Sequence, residues 1–498
     1  MKTVLKYNIC FVVLLLGLGC QEALNEEVKT FFTEDTFYQT EQDARLAING
    51  IYGHLGANFD GALNAEGIYF ANYWTANALL SDEGESDGDF GRGYFELSTM
   101  THTPQSNIAL QIWSNLYLGI NAANLAIANI PDIDMNADIK DNLLGEAYFL
   151  RGLLYFELVR FFGEVPLQLV AQTEFTTDSY LPRSTEEEVY NQILSDLVIA
   201  ENSLPTEQTG VDNGRPTSWS AKAYTAKAAL QQGVNLTLAQ TRLEDIINGP
   251  FGLWQDYADV FKIGNNNGKE VLFSISFLEG EDLFTTLWEG GHLVFRTLPN
   301  LYGGRPNGQG FETPTQNLFD SFDDLDRRKE VTFLSEDVID GETVDFGRPY
   351  VVKYWDQQAE PEVNNTNNDL QLIRFADILL MYAEVLNELN NGSSTDALVA
   401  INRVRRRARY SNGVENNVLP NLTTMGYQDF KDAILDERRK ELAWEGHRWF
   451  DLVRFGKLQE KVSLAKPNVS ITTPRHNLLP IPQRERDLNP SLTQNLDY

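Results

Sequence analysis

Four side chains within one short stretch, Glu437, Glu441, Glu445 and His447, are of the types that perform general acid–base chemistry. They lie between Asp436 and Phe455, which read D-E-R-R-K-E-L-A-W-E-G-H-R-W-F-D-L-V-R-F. Leu435, Arg438, Leu442, Glu445 and Trp449 recur at steps of three and four, a spacing that puts all five on one face of a helix. Two ions, Arg438 and Glu445, therefore fall on an apolar line. A charge in that position needs a counter-charge, so this helix is expected to dock on elements that supply one, with Arg374, Asp377 and Glu384 as candidates. Ion networks cluster titratable groups as active sites do, and the network reading is preferred over catalysis here.

Other catalytic patterns are missing from the sequence. It contains no phosphate-cradling G-x-G-x-x-G or Walker loop, no H-E-x-x-H and no G-x-S-x-G. Five histidines are scattered at 54, 102, 292, 447 and 476, and no Cys/His group has metal-ligand spacing. The Asp82–Asp89 cluster lacks the spaced ligands of a calcium loop and reads as a solvated acidic loop. With 71 acidic residues, the abundance of carboxylates says nothing about a glycosidase pair.

The elements that must position these residues are mostly helical. Apolar stripes run through Thr40–Leu55 (Ala44, Ala47, Ile51, Leu55), Ile112–Ile130 and Leu143–Phe161, the last stopped by Gly163 and Pro166. Ser184 and Glu187 have the spacing of a capping box. Trp219, Ala223, Ala226 and Leu230 line an alanine-rich helix whose small residues permit close approach. Val271, Phe273, Ile275 and Phe277 alternate as a strand. Leu372 to Leu389 keeps a three-four rhythm up to Asn391-Gly392, and Ala397, Ile401, Val404 and Ala408 line the next helix, with Arg403, Arg406, Arg407 and Arg409 expected on its outer side, paired with the chain's own acids. Two stretches break the helical texture, 56–104 and 279–318, and both mix glycine with aromatics.

The chain has 498 residues, 11% aromatics and a net charge of −31. It is long enough for a large core, and its charge opposes nucleic acid or an anionic membrane surface as partner. Lys2 and Lys6, an apolar run from Ile9 to Leu16, then Gly17-Leu18-Gly19-Cys20 describe a secretory signal with a lipobox-like end. The expected layout is a signal peptide at 1–19, a lipidated Cys20 with a tether at 20–34, an N-terminal helical part at 35–250 and a C-terminal part at 251–498, the two forming one compact unit.

The segment E-R-R-K-E-L-A-W-E-G-H-R-W-F-D-L-V-R resembles the C-terminal signature of the SusD/RagB-like outer-membrane nutrient-binding lipoproteins of Bacteroidota. A second block agrees: Leu479-Pro480-Ile481-Pro482, Asn489-Pro490, then Gln494-Asn495 and Tyr498, where the family's usual ending Q-N-P-G-Y is here Q-N-L-D-Y. The resemblance implies a mostly α fold of tetratricopeptide-like helical pairs with irregular loops and a few short strands. It implies a cell-surface glycan-binding lipoprotein, without catalytic activity, cofactor or metal, anchored to the outer membrane through Cys20. Its partner would be a SusC-like TonB-dependent transporter.

Site positions vary within that family, so candidates come from texture: aromatic-rich, glycine-containing segments carried by a rigid scaffold. That selects Tyr73, Trp74, Phe90 and Tyr94 from the first break, and Trp288, Arg296, Tyr302 and Arg305 from the second. Trp113, Trp219, Trp444 and Trp449 fall on helical stripes and read as core. The acidic balance favours a neutral glycan such as a β-glucan, while Arg296 and Arg305 keep an acidic glycan open. A second reading is a helical-repeat scaffold that binds a peptide or protein. The two differ in whether Trp74 and Trp288 are exposed near one another, or buried while a groove between helices stays open.

Overall fold

In a computed structural model, the structure describes residues 37–56, 67–86, 93–172, 180–277, 293–299, 308–339, 341–356, 366–411 and 413–498. The scaffold begins with α1 (Glu41–Gly56), which buries Ala44, Ile48, Ile51 and Leu55. A short helix α2 (Asn72–Leu79) and strand β1 (Gly84–Ser86) follow. Then come α3 (Asn107–Asn129), α4 (Ala137–Phe162), α5 (Glu186–Ser203), α6 (Ser218–Gln232) and α7 (Leu236–Ile247).

Each of these long helices packs on the next, and α7 packs in turn on α8 (Phe375–Asn390), so consecutive antiparallel pairs build a continuous helical array. Local chemistry sets the ends. The Asn136 side chain accepts from the Asp138 and Ile139 N–H groups at 2.9 and 3.1 Å, and Gly163 closes α4 at φ 71°. The capping box of α5 uses Thr185 and Glu188, one residue beyond the expected Ser184 and Glu187, because Ser184 pairs instead with Val165 in a β-bridge. Five alanines of α6, at 221, 223, 226, 228 and 229, are fully buried where neighbouring helices close on it.

The strands are short and pair in antiparallel twos: β1 with β3 (Glu312–Pro314), β2 (Val271–Ile275) with β6 (Leu370–Arg374), and β4 (Phe333–Ile339) with β5 (Glu342–Val351). The apolar rhythm read through 372–389 is thus shared by β6 and α8, both wholly buried in their first turns. Helices α9 (Thr395–Ala408), α10 (Tyr427–Glu441) and α11 (Arg448–Arg454) complete the C-terminal part.

The single helix expected across 435–449 is two. Helix α10 stops at Glu441, Trp444 adopts φ 61° and Gly446 φ 81°, and α11 starts at Arg448. A left-handed tryptophan is strained, and its surroundings hold it: the Trp444 N–H donates to Glu83 at 3.2 Å and the ring is fully buried. Glycine is required at 446, where a Cβ would run into the Tyr73 ring.

The expected counter-charges are in place. Arg374, at the end of β6, uses all five of its donors. Its Nε and Nη2 reach Glu445 at 2.7 and 2.8 Å, Nη1 reaches Glu441 at 2.6 Å and Glu270 at 2.9 Å, and Nη2 also reaches the Glu441 carbonyl at 2.7 Å. Arg407 pairs with Glu270 at 2.9 Å and with Glu441. Arg328 pairs with Asp326 at 2.8 Å and Glu437 at 2.6 Å, Arg405 with Glu437 at 2.6 Å and Lys353 with Glu445 at 2.6 Å. Five acids thus meet five bases. On another side, Arg438 reaches Asp377 at 2.6 Å and Asp451 at 2.7 Å, Lys227 reaches Asp377 at 3.0 Å, and Arg454 pairs with Glu384.

The third side corrects an expectation. Asp82 and Glu83 belong to no solvated loop. Both are buried, and Asp82 pairs with Arg448 at 2.7 Å and Arg439 at 3.0 Å. Arg407 and Arg409 are likewise buried, while Arg403 and Arg406 keep to the outer side.

Burial opposes ionisation of Glu441, but Arg407, Arg374 and Arg328 prevail and hold its carboxyl down to about 2. Its contribution to stability is then complete above its unfolded value near 4.5 and lost as pH falls through about 2. Glu441→Gln is expected to lower unfolding stability by about 3–5 kcal/mol at pH 7, since it leaves buried cations short of a partner. The gap to wild type should narrow as pH falls from about 4.5 towards 2. Urea unfolding at a series of pH values checks both.

Candidate functional site

Tyr73 and Trp74 do not sit in an irregular segment. They belong to α2, a helix buried on every side. Tyr73 packs edge-on against Tyr69 at 4.8 Å, and its hydroxyl accepts from Arg160 at 3.4 Å. Burial pushes that hydroxyl's pKa well up, so it stays protonated. Tyr94 opens a one-turn helix, Tyr94–Ser98, and is buried as well.

Arg296, on the helix Leu293–Thr297, brings the two breaks together. Its guanidinium carbon lies 4.2 Å from the Tyr94 ring centroid and 5.9 Å from that of Trp74, its Nη1 donates to the Tyr94 hydroxyl at 3.4 Å, and it pairs with Glu312 of β3 through Nε at 3.1 Å. Trp74, Tyr94 and Arg296, chosen separately from the two breaks, thus come together, but as an internal layer buried from solvent. Arg296 has 1% of its surface exposed, and the Glu312 carboxylate and the two rings offset the cost of taking its charge out of water. Phe90, Trp288, Tyr302, Arg305 and the lipidation candidate Cys20 lie outside the described residues.

The aromatic that does reach the surface here is Phe95, 47% exposed and next to Tyr94. Sequence texture points to both residues equally. The turn after Gly93, at φ 84°, faces Tyr94 and Leu97 inward and Phe95 outward. Among the Trp residues read as core, Trp113, Trp444 and Trp449 are buried and Trp219 is partly so.

Trp74 also lines a pocket. Its apolar wall is Tyr69, Phe70, Trp74, Phe277 and Leu293, and its polar edge is Tyr354, Thr366, Asn368 and Asp369. Phe277 and Leu293 bracket, in sequence, the segment that contains Trp288. Two buried polar atoms on this edge, the Tyr354 hydroxyl and the Asn368 Oδ1, have no hydrogen-bond partner among the described residues. Both atoms are closed to solvent, and the space between them and the aromatic wall is about the size of one water molecule. Asp369 accepts from the Ser276 hydroxyl at 3.1 Å and the Ser274 hydroxyl at 3.3 Å, and burial pushes its carboxyl up to about 6. No periodicity marks Tyr354, Asn368 or Asp369 in the sequence. The pairing of β2 with β6 brings Asn368 and Asp369, just before β6, beside Phe277, just after β2, while Tyr354 comes in from beyond β5.

The catalytic alternative finds no support in the geometry. Glu437, Glu441 and Glu445 are buried in ion pairs, and His447 accepts from Lys227 at 3.2 Å, with burial and the Lys227 cation holding it neutral. Among the described residues no group of three or more His, Cys, Asp or Glu is arranged to hold a metal, and no helix is long and apolar enough to cross a membrane.

Comparison with known proteins agrees with this architecture. The model described as "SusD family" matches residues 339–498, and that described as "Starch-binding associating with outer membrane" matches 58–230. SusD-like protein P25 of Formosa agariphila is 27% identical over 98% of this chain and 97% of its own length. A solved laminarin-binding SusD-like protein superposes with a TM-score of 0.78 at 26% identity, over 93% of this chain and all of that one. Surface glycan-binding protein A of Bacteroides thetaiotaomicron, solved with laminarihexaose, gives 0.76 at 20% identity over 92% of this chain and all of its own, a likeness of fold alone. The chain belongs to the SusD/RagB-like family, and its fold is the helical-pair scaffold of that family.

Because the Tyr354 hydroxyl is buried and unpartnered, Tyr354→Phe is expected to leave thermal stability unchanged or slightly raised. Differential scanning calorimetry checks this, and a loss above about 1 kcal/mol would show that the hydroxyl has an internal partner.

Proposed function

We propose that this protein is a cell-surface glycan-binding lipoprotein, anchored to the outer membrane through Cys20, that captures oligosaccharide and passes it to a SusC-like TonB-dependent transporter. The observation that carries this reading is the likeness, over 93% of the chain at 26% identity, to a laminarin-binding SusD-like protein, together with an aromatic, Phe95, that stands open on the surface.

A sugar offers an apolar ring face that packs on an exposed aromatic, and hydroxyls that need donors and acceptors around it. Phe95 supplies an exposed face beside the Tyr94–Arg296 layer, and Trp74 stands on the pocket wall. Trp288, placed here by the sequence reading, is a further stacking residue. The role is binding without turnover: the acids of the signature segment serve as partners of buried arginines. Residues 20–34 act as the tether between lipid and folded part, and the parts at 35–250 and 251–498 work as one unit. A neutral β-glucan is the ligand favoured.

Affinity electrophoresis of the lipid-free chain from residue 21 on, against a panel of neutral and acidic polysaccharides, tests this. Retardation by a neutral glucan is expected, with Phe95→Ala and Trp288→Ala each binding about 3–10-fold more weakly, the worth of one aromatic contact. Phe95 is at the surface, so its variant should melt as wild type does. Retardation by no glycan at all would favour a scaffold that binds a peptide or protein.

A further inference from the structure

The β4–β5 ribbon carries a group of rings outside the site described above. Opposite Ser335, strand β5 inserts residues 346–349, a bulge of the kind that re-aims side chains beside binding sites. It gathers Phe346, Arg348 and Tyr350. The two rings stand edge to face with centroids 6.0 Å apart, the Arg348 guanidinium carbon lies 5.6 Å from the Tyr350 centroid, and its Nε donates to the Tyr350 hydroxyl at 3.4 Å. All three side chains are partly exposed, and among the described residues neither ring packs on the apolar core. Exposed Glu336, Glu342 and Asp345 bound the group towards the tip of the ribbon. On its other side the group is continuous with Phe95. Tyr94, next to Phe95, covers Arg296, whose carbonyl accepts from the Phe311 N–H at 3.0 Å, and Phe311 is itself partly exposed. At Gly310, the residue before it, an added Cβ would stand 3.1 Å from Tyr350 Cε1. Phe95, Phe311, Tyr350 and Phe346 thus follow one another from the Tyr94–Arg296 layer to the ribbon.

Resting on the glycan-binding reading above, we propose that Phe346, Arg348 and Tyr350 form a second glycan contact, taken up by the same chain that stacks on Phe95. Partly exposed rings pack on the apolar face of a sugar, and an arginine fork beside them donates to its hydroxyls. Three partly exposed side chains fall far short of a protein interface, which needs about 800 Å² on each side, but they match one or two sugar rings. Two weak contacts joined by one ligand act together. Once the first is made the second forms within the complex, so a polymer is held more firmly than either contact holds it alone.

Hydrogen exchange and titration calorimetry with laminarin test this. In wild type, bound laminarin should slow exchange in two separate peptides, one around Phe95 and one spanning Val344–Val351, a readout that needs no variant. Phe346→Ala should bind laminarin about 3–10-fold more weakly, with its melting temperature unchanged because the ring lies off the core. Unaltered exchange at Val344–Val351 on binding, or a Phe346→Ala affinity equal to that of wild type, overturns the inference and leaves glycan binding at Phe95 standing. If laminarin is not bound, the same two readouts are taken with a neutral polysaccharide that is. Binding of none across the panel removes the glycan reading, and this inference with it.

Discussion

The arrangement of this protein depends on the burial of charge around one segment. Between Glu437 and Arg454 lie ions that no solvent reaches, and they point in three directions: Glu441 and Glu445 to Arg374, Arg438 to Asp377, Arg448 to Asp82. Burying ions is expensive unless every partner is in place, and a buried pair broken on one side costs more than an intact pair contributes. The segment therefore tolerates essentially one docking of α8, α6, β6 and the Asp82 turn. Its strained joint, with Trp444 at φ 61° and Gly446 at φ 81°, is the bend that lets one stretch of chain face all three sides.

That constraint reaches the pocket through short, stiff pieces. Strand β6 ends at Arg374 in the network, and the residue before its first is Asp369 on the pocket's edge, so about five extended residues, on the order of 17 Å, connect the two. On the other side Asp82, held by Arg448, runs into β1. That strand pairs with β3, and β3 supplies the Glu312 that fixes Arg296 under Tyr94. The polar edge and the aromatic layer thus hang from one ionic frame.

Much of this was legible in the sequence. The stripes of α1, α3 and α4 follow helical period, and Arg374, Asp377 and Glu384 were the right counter-charges, because an ion on an apolar face leaves few ways to be satisfied. What escaped has a common cause. The break after Glu441, the burial of Asp82 and the helix that encloses Tyr73 and Trp74 all arise from partners far away in the chain, and local period cannot register them. Texture brought Trp74, Tyr94 and Arg296 together but took them for a surface. Nothing local separates the exposed Phe95 from the buried Tyr94, and the Tyr354–Asn368–Asp369 edge carries no local mark at all.

The most direct measurement is a crystal structure of the chain soaked with laminarihexaose. Density for sugar rings stacked on Phe95, on the surface beside the Tyr94–Arg296 layer, is the expected result. Ordered sugar elsewhere, with none against Phe95, would contradict the account and move the site to another face of the scaffold.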